Sequence, residues 1–424
     1  MSKGMHTVQI TRRFTDRAWG GTETVVLETS RRLRQRGVSA EILTTTALDP
    51  RRHSEIGGVP VHRFPYFYPW IGLGDDQKRR LDEIGGNLFS TSLGRALARR
   101  RLDLIHLHTG KRLGGIARTV ARLRRVPYVV TLHGGLIDVP QAEVDRWTPS
   151  TQGGAEGRRP LEWGKALGLL VGSRRVLEDA AAVLSVNLGE LAELQRQLPN
   201  QRVEWMPNGV DTEAFARGRG EDFRRRYGIP ADRRLLTVVG RIDPQKNQRL
   251  ALDVLAELRR SAGSHWHLAL VGPTTDAEYG QTLERKIRSN PELRYAVTWV
   301  PGLASGSQDL VDAYHAADFV LVPSIHEPFG IVVLEAWAAG RPVLGHRVGG
   351  MEGLIQDGSD GLLIESLDPG WWVRELRQLD AAPHCARALG SSGRHRAAAQ
   401  FDWSRITDRL MKLYQEVHRV RASA

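Results

Sequence analysis

Two glutamates, Glu327 and Glu335, stand eight positions apart in the stretch "EPFGIVVLE". Carboxylates accept hydrogen bonds, so a pair held this way suits the hydroxyls of a polyol or sugar. Pro328 and Gly330 oppose one continuous helix across the stretch. Proline fits at or before a helix start, and glycine lets backbone lie close to a ligand. The spacing predicts a loop holding Glu327 and a helix from about Gly330 to Gly340, with Glu335 one turn inside it. The amino end of that helix would carry unpaired amides and partial positive charge, suited to a phosphate or sugar oxygen. Glu335 would reach a polyol such as ribose, and Glu327 would accept from sugar hydroxyls. By spacing alone, two ordinary carboxylates explain the pair equally well.

A second group is "GRIDPQKN", in which Arg241 follows a strand pattern and Lys246 comes five residues later. A guanidinium fork and a compact ammonium are the donors a diphosphate needs. The competing reading is a solvated basic loop. "GGTE", Gly20 to Glu23, joins the first strand to the first helix. Its glycines allow close backbone approach to a ligand, with Thr22 or Glu23 available as a cap, although a tight glycine turn accounts for it as well. His133, in "TLHGG", ends a strand before two glycines, where a hydrogen-bonded core histidine is the ordinary alternative. The chain has no D-x-D triplet, no G-x-x-x-x-G-K-[ST] loop and no G-x-S-x-G elbow, which removes the main support for those phosphate and hydrolase chemistries.

The elements that hold these residues follow an alternating pattern. Short apolar runs ("TVQIT", "AEILTT", "VHRF", "DLIHLH", "YVVTLHG", "AAVLSVN", "RVEWMPN") are separated by helix-like stretches, and the series restarts at "RLLTVVG", "HLALVG", "VTWVPG", "FVLVPS" and "RPVLGH". Such alternation argues for parallel sheets covered by helices. Two series predict an α/β protein of two Rossmann-like domains, 1–207 and 208–400, with a final helix over 401–424. Ligands of open parallel sheets sit at the carboxyl ends of strands. The motifs all follow strands, so they are expected to face one interdomain cleft. Two segments break the pattern: the aromatic run Phe64 to Trp70, and a long proline- and glycine-rich loop at 137–164 with no assignable motif.

The chain has 424 residues, 41% hydrophobic and 25% charged, as in ordinary globular proteins. No apolar run approaches a bilayer-spanning length, no secretory signal is evident, and the single Cys385 rules out a disulfide framework. These features read as cytoplasmic. The net charge of +12 favours an acidic partner, although arginine supplies 53 of the 60 basic residues, a bias that genome composition alone can produce. The basic amphipathic stretch "KRLGGIARTVARLRR" could touch the anionic inner face of a membrane, though a solvated face is the commoner fate of such a helix.

Together these residues resemble the retaining glycosyltransferases of the GT-B fold, family four, related to glycogen synthase and phosphatidylinositol mannosyltransferase. Glu327 and Glu335 meet the E-x7-E element, and Arg241 and Lys246 meet the donor element. "GG", "HG" and "PNGVD" match in order. The resemblance implies a hexosyltransferase that binds a UDP-, GDP- or ADP-sugar without a metal or other cofactor. The acceptor would be a hydroxyl on a glycan, a lipid-linked molecule or a small molecule, held by the N-terminal domain; no nucleic acid is expected. It further implies that Arg241 and Lys246 neutralise the leaving diphosphate, Glu335 binds ribose, and Glu327 contacts the donor sugar. The amides of Phe329, Gly330, Ile331 and Val332 would hold sugar and phosphate oxygens. Gly20 and Gly21 would approach the diphosphate, His133 the reacting carbon, and Val300 the base. Competing readings are a GT-B phosphorylase or synthase using free phosphate or sugar, and a non-catalytic sugar- or nucleic-acid-binding protein.

Overall fold

The computed structural model describes residues 4–16, 19–134 and 161–422. Its contacts divide the chain into two compact units, Met1–Pro207 with Ile406–Ala424, and Asn208–Arg405.

The first unit contains β1 (His6–Ile10), β2 (Ser39–Thr45), β3 (His53–Ile56), β4 (Val59–Phe64), β5 (Trp70–Ile71), β6 (Leu104–Leu107), β7 (Tyr128–Leu132), β8 (Leu161–Glu162), β9 (Ala182–Ser185) and β10 (Val203–Trp205). Eight of these form one sheet in the order β10-β9-β7-β6-β1-β2-β4-β3. All neighbours in it run parallel except β3 and β4. Every residue of β6 and β9 is buried, as expected of strands covered on both faces. The loop predicted at 137–164 lies outside the described residues as far as 160. Its end forms β8, which pairs antiparallel with β5.

The aromatic run is largely structural. Tyr66 and Tyr68 donate to the Asp82 carboxylate at 2.6 and 2.9 Å, and Phe67 stacks on Trp163 with centroids 6.3 Å apart. The helix Lys111–Arg124 does not present its whole basic set to solvent. Arg112 and Arg118 are buried and paired with Glu162 and Asp179, leaving Arg122, Leu123, Arg124 and Arg125 exposed. No helix of the described residues is long and apolar enough to cross a membrane.

The last helix, Trp403–Ala422, contributes most of its length to the first unit. Ile406, Leu410, Leu413, Tyr414 and Val417 form its buried stripe, at the three- and four-residue intervals that place side chains on one helical face.

The second unit holds β11 (Arg234–Val239), β12 (Trp266–Val271), β13 (Val297–Val300), β14 (Phe319–Val322), β15 (Val343–His346) and β16 (Leu362–Ile364). They form a wholly parallel sheet in the order β13-β12-β11-β14-β15-β16. Leu255, Leu268, Leu270, Trp266 and Trp372 lie at the centre of its core.

Both sheets are built outward from their first strand, then reverse. In the first, the reversal lies between β1 and β6; in the second, between β11 and β14. At such a point the helices leave on opposite faces, and the carboxyl ends of the two strands open a crevice for ligands.

Candidate active site

In the second unit, the loops after β11 and β14 meet at the reversal. After β11 come Arg241 and Lys246; after β14 come His326 and Glu327. The Lys246 ammonium lies 2.5 Å from Glu327 Oε2, and Ser324 Oγ donates to the same oxygen at 3.2 Å. Glu327 is buried, and a buried carboxylate of this kind persists only when paired and hydrogen-bonded. Gln245 ties the two loops together. Its side chain donates to His326 O at 3.0 Å, accepts from the Arg241 guanidinium at 3.1 Å, and its carbonyl accepts from the Ile325 amide at 2.8 Å. Gln248, fully buried, donates to Arg241 O at 2.7 Å. Arg241 thus has a fixed backbone, while its side chain is about half exposed.

The helix Ile331–Ala338 begins beside Glu327. Gly330, its N-cap, has φ +97°, a conformation that favours glycine. The Val333 amide donates to Gly330 O at 2.9 Å, while the amides of Phe329, Gly330, Ile331 and Val332 have no acceptor among the described residues. At a helix start such amides make a seat suited to an anion. Gly350 closes the back of this turn: its amide donates to Glu327 O at 2.8 Å, and a Cβ there would stand 2.2 Å from Pro328 O. Gly340, with φ +70°, ends the helix.

Glu335 lies one turn into the helix, buried, with Tyr314 Oη donating to its Oε2 at 2.6 Å. Burial raises its carboxyl to about 7, and the Tyr314 hydrogen bond opposes that rise. Val300, singled out for the base, follows the pleat of β13 inward. Its side chain is fully buried in a core cluster with Leu235 and Ala313, and its carbonyl accepts from the Gly272 amide at 3.0 Å.

In the first unit, the ends of β1 and β6 border a cavity of about 290 Å³, lined among others by Thr11, Arg12, Arg13, Thr22, Glu23, His108, Thr109 and Lys111. Arg12, Arg13 and Lys111 donate to the carbonyls of Asp82, Glu83 and Gly85 at 2.7, 2.9 and 3.4 Å. The three cations thereby complete the carboxyl end of the helix Asp75–Ile84 while leaving positive charge around the cavity. Glu23 is buried 3.6 Å from Arg13. Burial raises its carboxyl above the usual range, while Arg13 and the amides of Glu23 and Gly20 oppose the shift. Gly20 is the N-cap of Gly21–Gln35, with no side-chain cap bond. His133, at the end of β7, is joined to His108 by a 2.8 Å nitrogen–nitrogen hydrogen bond.

Residues 220–396 match the family described as glycosyl transferases group 1, and residues 20–209 match the glycosyl transferase 4-like domain. A D-inositol 3-phosphate glycosyltransferase of Stackebrandtia nassauensis is 32% identical, covering 99% of this chain and 91% of the relative. The chain belongs to the group 1 glycosyltransferases. A second protein of the same name, from Saccharomonospora viridis, is 32% identical over 94% of this chain and 89% of its own.

Solved structures agree on the fold of this glycosyltransferase. Sucrose-phosphate synthase from Thermosynechococcus elongatus superposes with a TM-score of 0.72 at 22% identity, covering 98% of this chain and 100% of that one. Anabaena HepE in complex with UDP-glucose gives 0.69 at 18% identity, covering 99% and 100%. The glycosyltransferase therefore has the GT-B fold expected from its sequence.

Of the residues singled out from sequence, the second unit gathers Arg241, Lys246, Glu327, the 329–332 amides and Glu335 around one reversal point. Gly20, Gly21 and His133 belong to the first unit. Sequence reasoning missed Gln245, Ser324 and Tyr314, whose side chains hold the others. In the first unit it missed His106 and His108, although the alternation "IHLH" placed two histidines on one face of a buried strand.

Proposed function

We propose that this glycosyltransferase moves a hexose from a nucleoside diphosphate donor to a hydroxyl acceptor, without a metal and with retention of anomeric configuration. The observation that carries the reading is the Lys246–Glu327 pair beside the amide seat of the helix Ile331–Ala338. The seat and Arg241 take the diphosphate. Lys246 then shares its charge between Glu327 and the leaving phosphate, where negative charge builds as the glycosidic bond breaks. Glu327, partly released, accepts from the sugar hydroxyls. Glu335 offers Oε1 to a ribose hydroxyl while Tyr314 holds Oε2. His133, with Gly20 and Gly21, is assigned to the sugar and phosphate contacts of the first unit. Retention follows from attack on the face the diphosphate leaves, which needs no protein nucleophile.

The acceptor belongs to the first unit's cavity, whose rim of Arg12, Arg13 and Lys111 favours an anionic polyol. The names of the two inositol 3-phosphate relatives support that chemistry. Peripheral contact with an anionic membrane falls to the exposed residues 122–125, and flotation with phosphatidylglycerol vesicles tests it.

The deciding experiment offers UDP-, GDP- and ADP-sugars to the enzyme in chelator, with inositol 3-phosphate as acceptor, and reads product anomers by NMR. Transfer with an inverted anomer, or only phosphorolysis of a glycoside, would reject the proposal.

A further inference from the structure

Six polar side chains run through the buried centre of the first unit as one hydrogen-bonded chain. His106 Nε2 meets Thr131 Oγ1 at 2.6 Å and His106 Nδ1 meets Tyr414 Oη at 2.6 Å. Tyr414 meets Gln9 Nε2 at 3.3 Å, Gln9 Oε1 meets His108 Nε2 at 2.8 Å, and His108 Nδ1 meets His133 Nε2 at 2.8 Å. His106, His108, Gln9 and Tyr414 are buried. Nδ1 of His133, which is only partly buried, has no hydrogen-bond partner among the described residues.

The proton order in this chain can be worked out from one end. A neutral imidazole has one N–H and one lone pair. His106 has two hydroxyl partners, and a phenol is a far stronger acid than an alkanol, so Tyr414 donates to Nδ1 and the Nε2–H donates to Thr131. The tyrosine proton is then used, and its oxygen accepts from the Gln9 amide nitrogen. That orientation turns the Gln9 carbonyl oxygen toward His108 Nε2. An amide oxygen only accepts, so His108 carries its proton on Nε2 and presents a bare Nδ1. His133 must therefore donate from Nε2. The opposite amide orientation would reverse every bond in the chain.

We infer that Gln9, His108 and Tyr414 are positioning residues that fix His133 as the Nε2–H tautomer, so that its Nδ1 accepts a hydrogen bond from a substrate hydroxyl. Burial agrees with neutral rings throughout: it lowers His106 to about 3 and His133 to about 4, and holds His108 well below its usual value. His133 is thereby an acceptor and not an acid near neutral pH. This deepens the proposed function, in which His133 touches the donor sugar.

The test is a two-bond nitrogen–proton correlation spectrum of the 15N-histidine-labelled full chain at pH 7, without substrate. Both His108 and His133 should show the Nε2–H pattern. Tyr414→Phe removes the phenol that orients Gln9, so His133 should become a tautomer mixture. The kcat should fall up to about tenfold, the scale of one hydrogen bond, at unchanged donor KM. Gln9→Glu, which can only accept, should keep the Nε2–H pattern. An Nδ1–H or doubly protonated His133 in the wild type overturns the inference, as does Tyr414→Phe with both spectrum and kcat unchanged. Full activity in His133→Ala, beside a wild-type spectrum of the Nε2–H form, would instead reject the sugar contact and leave the tautomer assignment standing.

Discussion

The two units place polar groups at equivalent points of two parallel sheets but handle them in opposite ways. The second unit gathers formal charges: Arg241, Lys246, Glu327 and a helix start all lie in two short loops. The first buries neutral donors and acceptors, each satisfied by the next, drawn from segments up to 405 positions apart in the chain. Charged groups that pair with one another can exchange partners when a ligand arrives. A neutral chain with every proton assigned keeps its direction. The contrast teaches that the second unit's crevice is built to respond, while the first unit's buried chain is built to hold still.

That contrast can be broken most severely at the ion pair. Lys246→Met and Glu327→Gln should each reduce kcat/KM by about a thousandfold, the scale seen when preorganised charge is removed at a reacting centre. They should differ in stability. Lys246→Met strands a buried carboxylate and should lose on the order of 3 kcal/mol in urea unfolding. The double variant should recover that stability and none of the activity. Recovery of transfer in the double variant would show that the pair serves only the fold.

Next in size, Arg241→Lys should lower kcat/KM by about thirtyfold, because an ammonium cannot reproduce the planar fork on a diphosphate. Gln245→Ala should follow, with roughly a tenfold loss from two side-chain hydrogen bonds, one to Arg241 within its own loop and one to His326 in the loop after β14. Its thermal midpoint should barely move, and crystals should show the loop after β14 displaced. An undisturbed loop would mean that the backbone contact from Ile325 is sufficient.

The smallest effect on activity, and one of opposite sign on stability, belongs to Glu335. Its carboxyl is raised from 4.5 to about 7 by burial, so the folded state keeps a proton that the unfolded chain has already lost. Stability therefore declines as pH rises from about 4.5 to about 7 and stays lower above that window. Glu335→Gln should flatten this slope and melt higher at pH 8, by something on the order of 3 kcal/mol, while weakening nucleotide affinity a few-fold. A Gln variant with an unchanged pH–stability curve would place the titration elsewhere.

The same contrast explains what could be read without coordinates. Strands buried on both faces leave continuous apolar runs, and those of β1, β2, β11, β12 and β14 were legible for that reason. β3, "HSEI", lies at the sheet edge with alternating exposure, and β5, β8 and β16 are only two or three residues long, too short for periodicity. The charged loops of the second unit are compact in sequence, so their spacing carries information. The neutral chain of the first unit is not. Nothing local in "MKLYQEV" ties Tyr414 to His106, 308 positions earlier, and glutamines such as Gln9 and Gln245 carry no mark of chemistry. Val300 occupied a plausible strand end, yet alternation turned its side chain into the core.

The return of the last helix to the first unit has a temporal consequence. During synthesis the segment that forms the first sheet emerges early, but the phenol that caps its central imidazole leaves the ribosome only after the whole second unit. Until then His106 keeps only Thr131 and Gln9 only His108 as hydrogen-bond partners, and the apolar bed beneath Ile406 and Leu410 stays open to water. The first unit thus reaches its finished state no sooner than the second, so a chain interrupted after residue 405 would yield a sheet with an open seam.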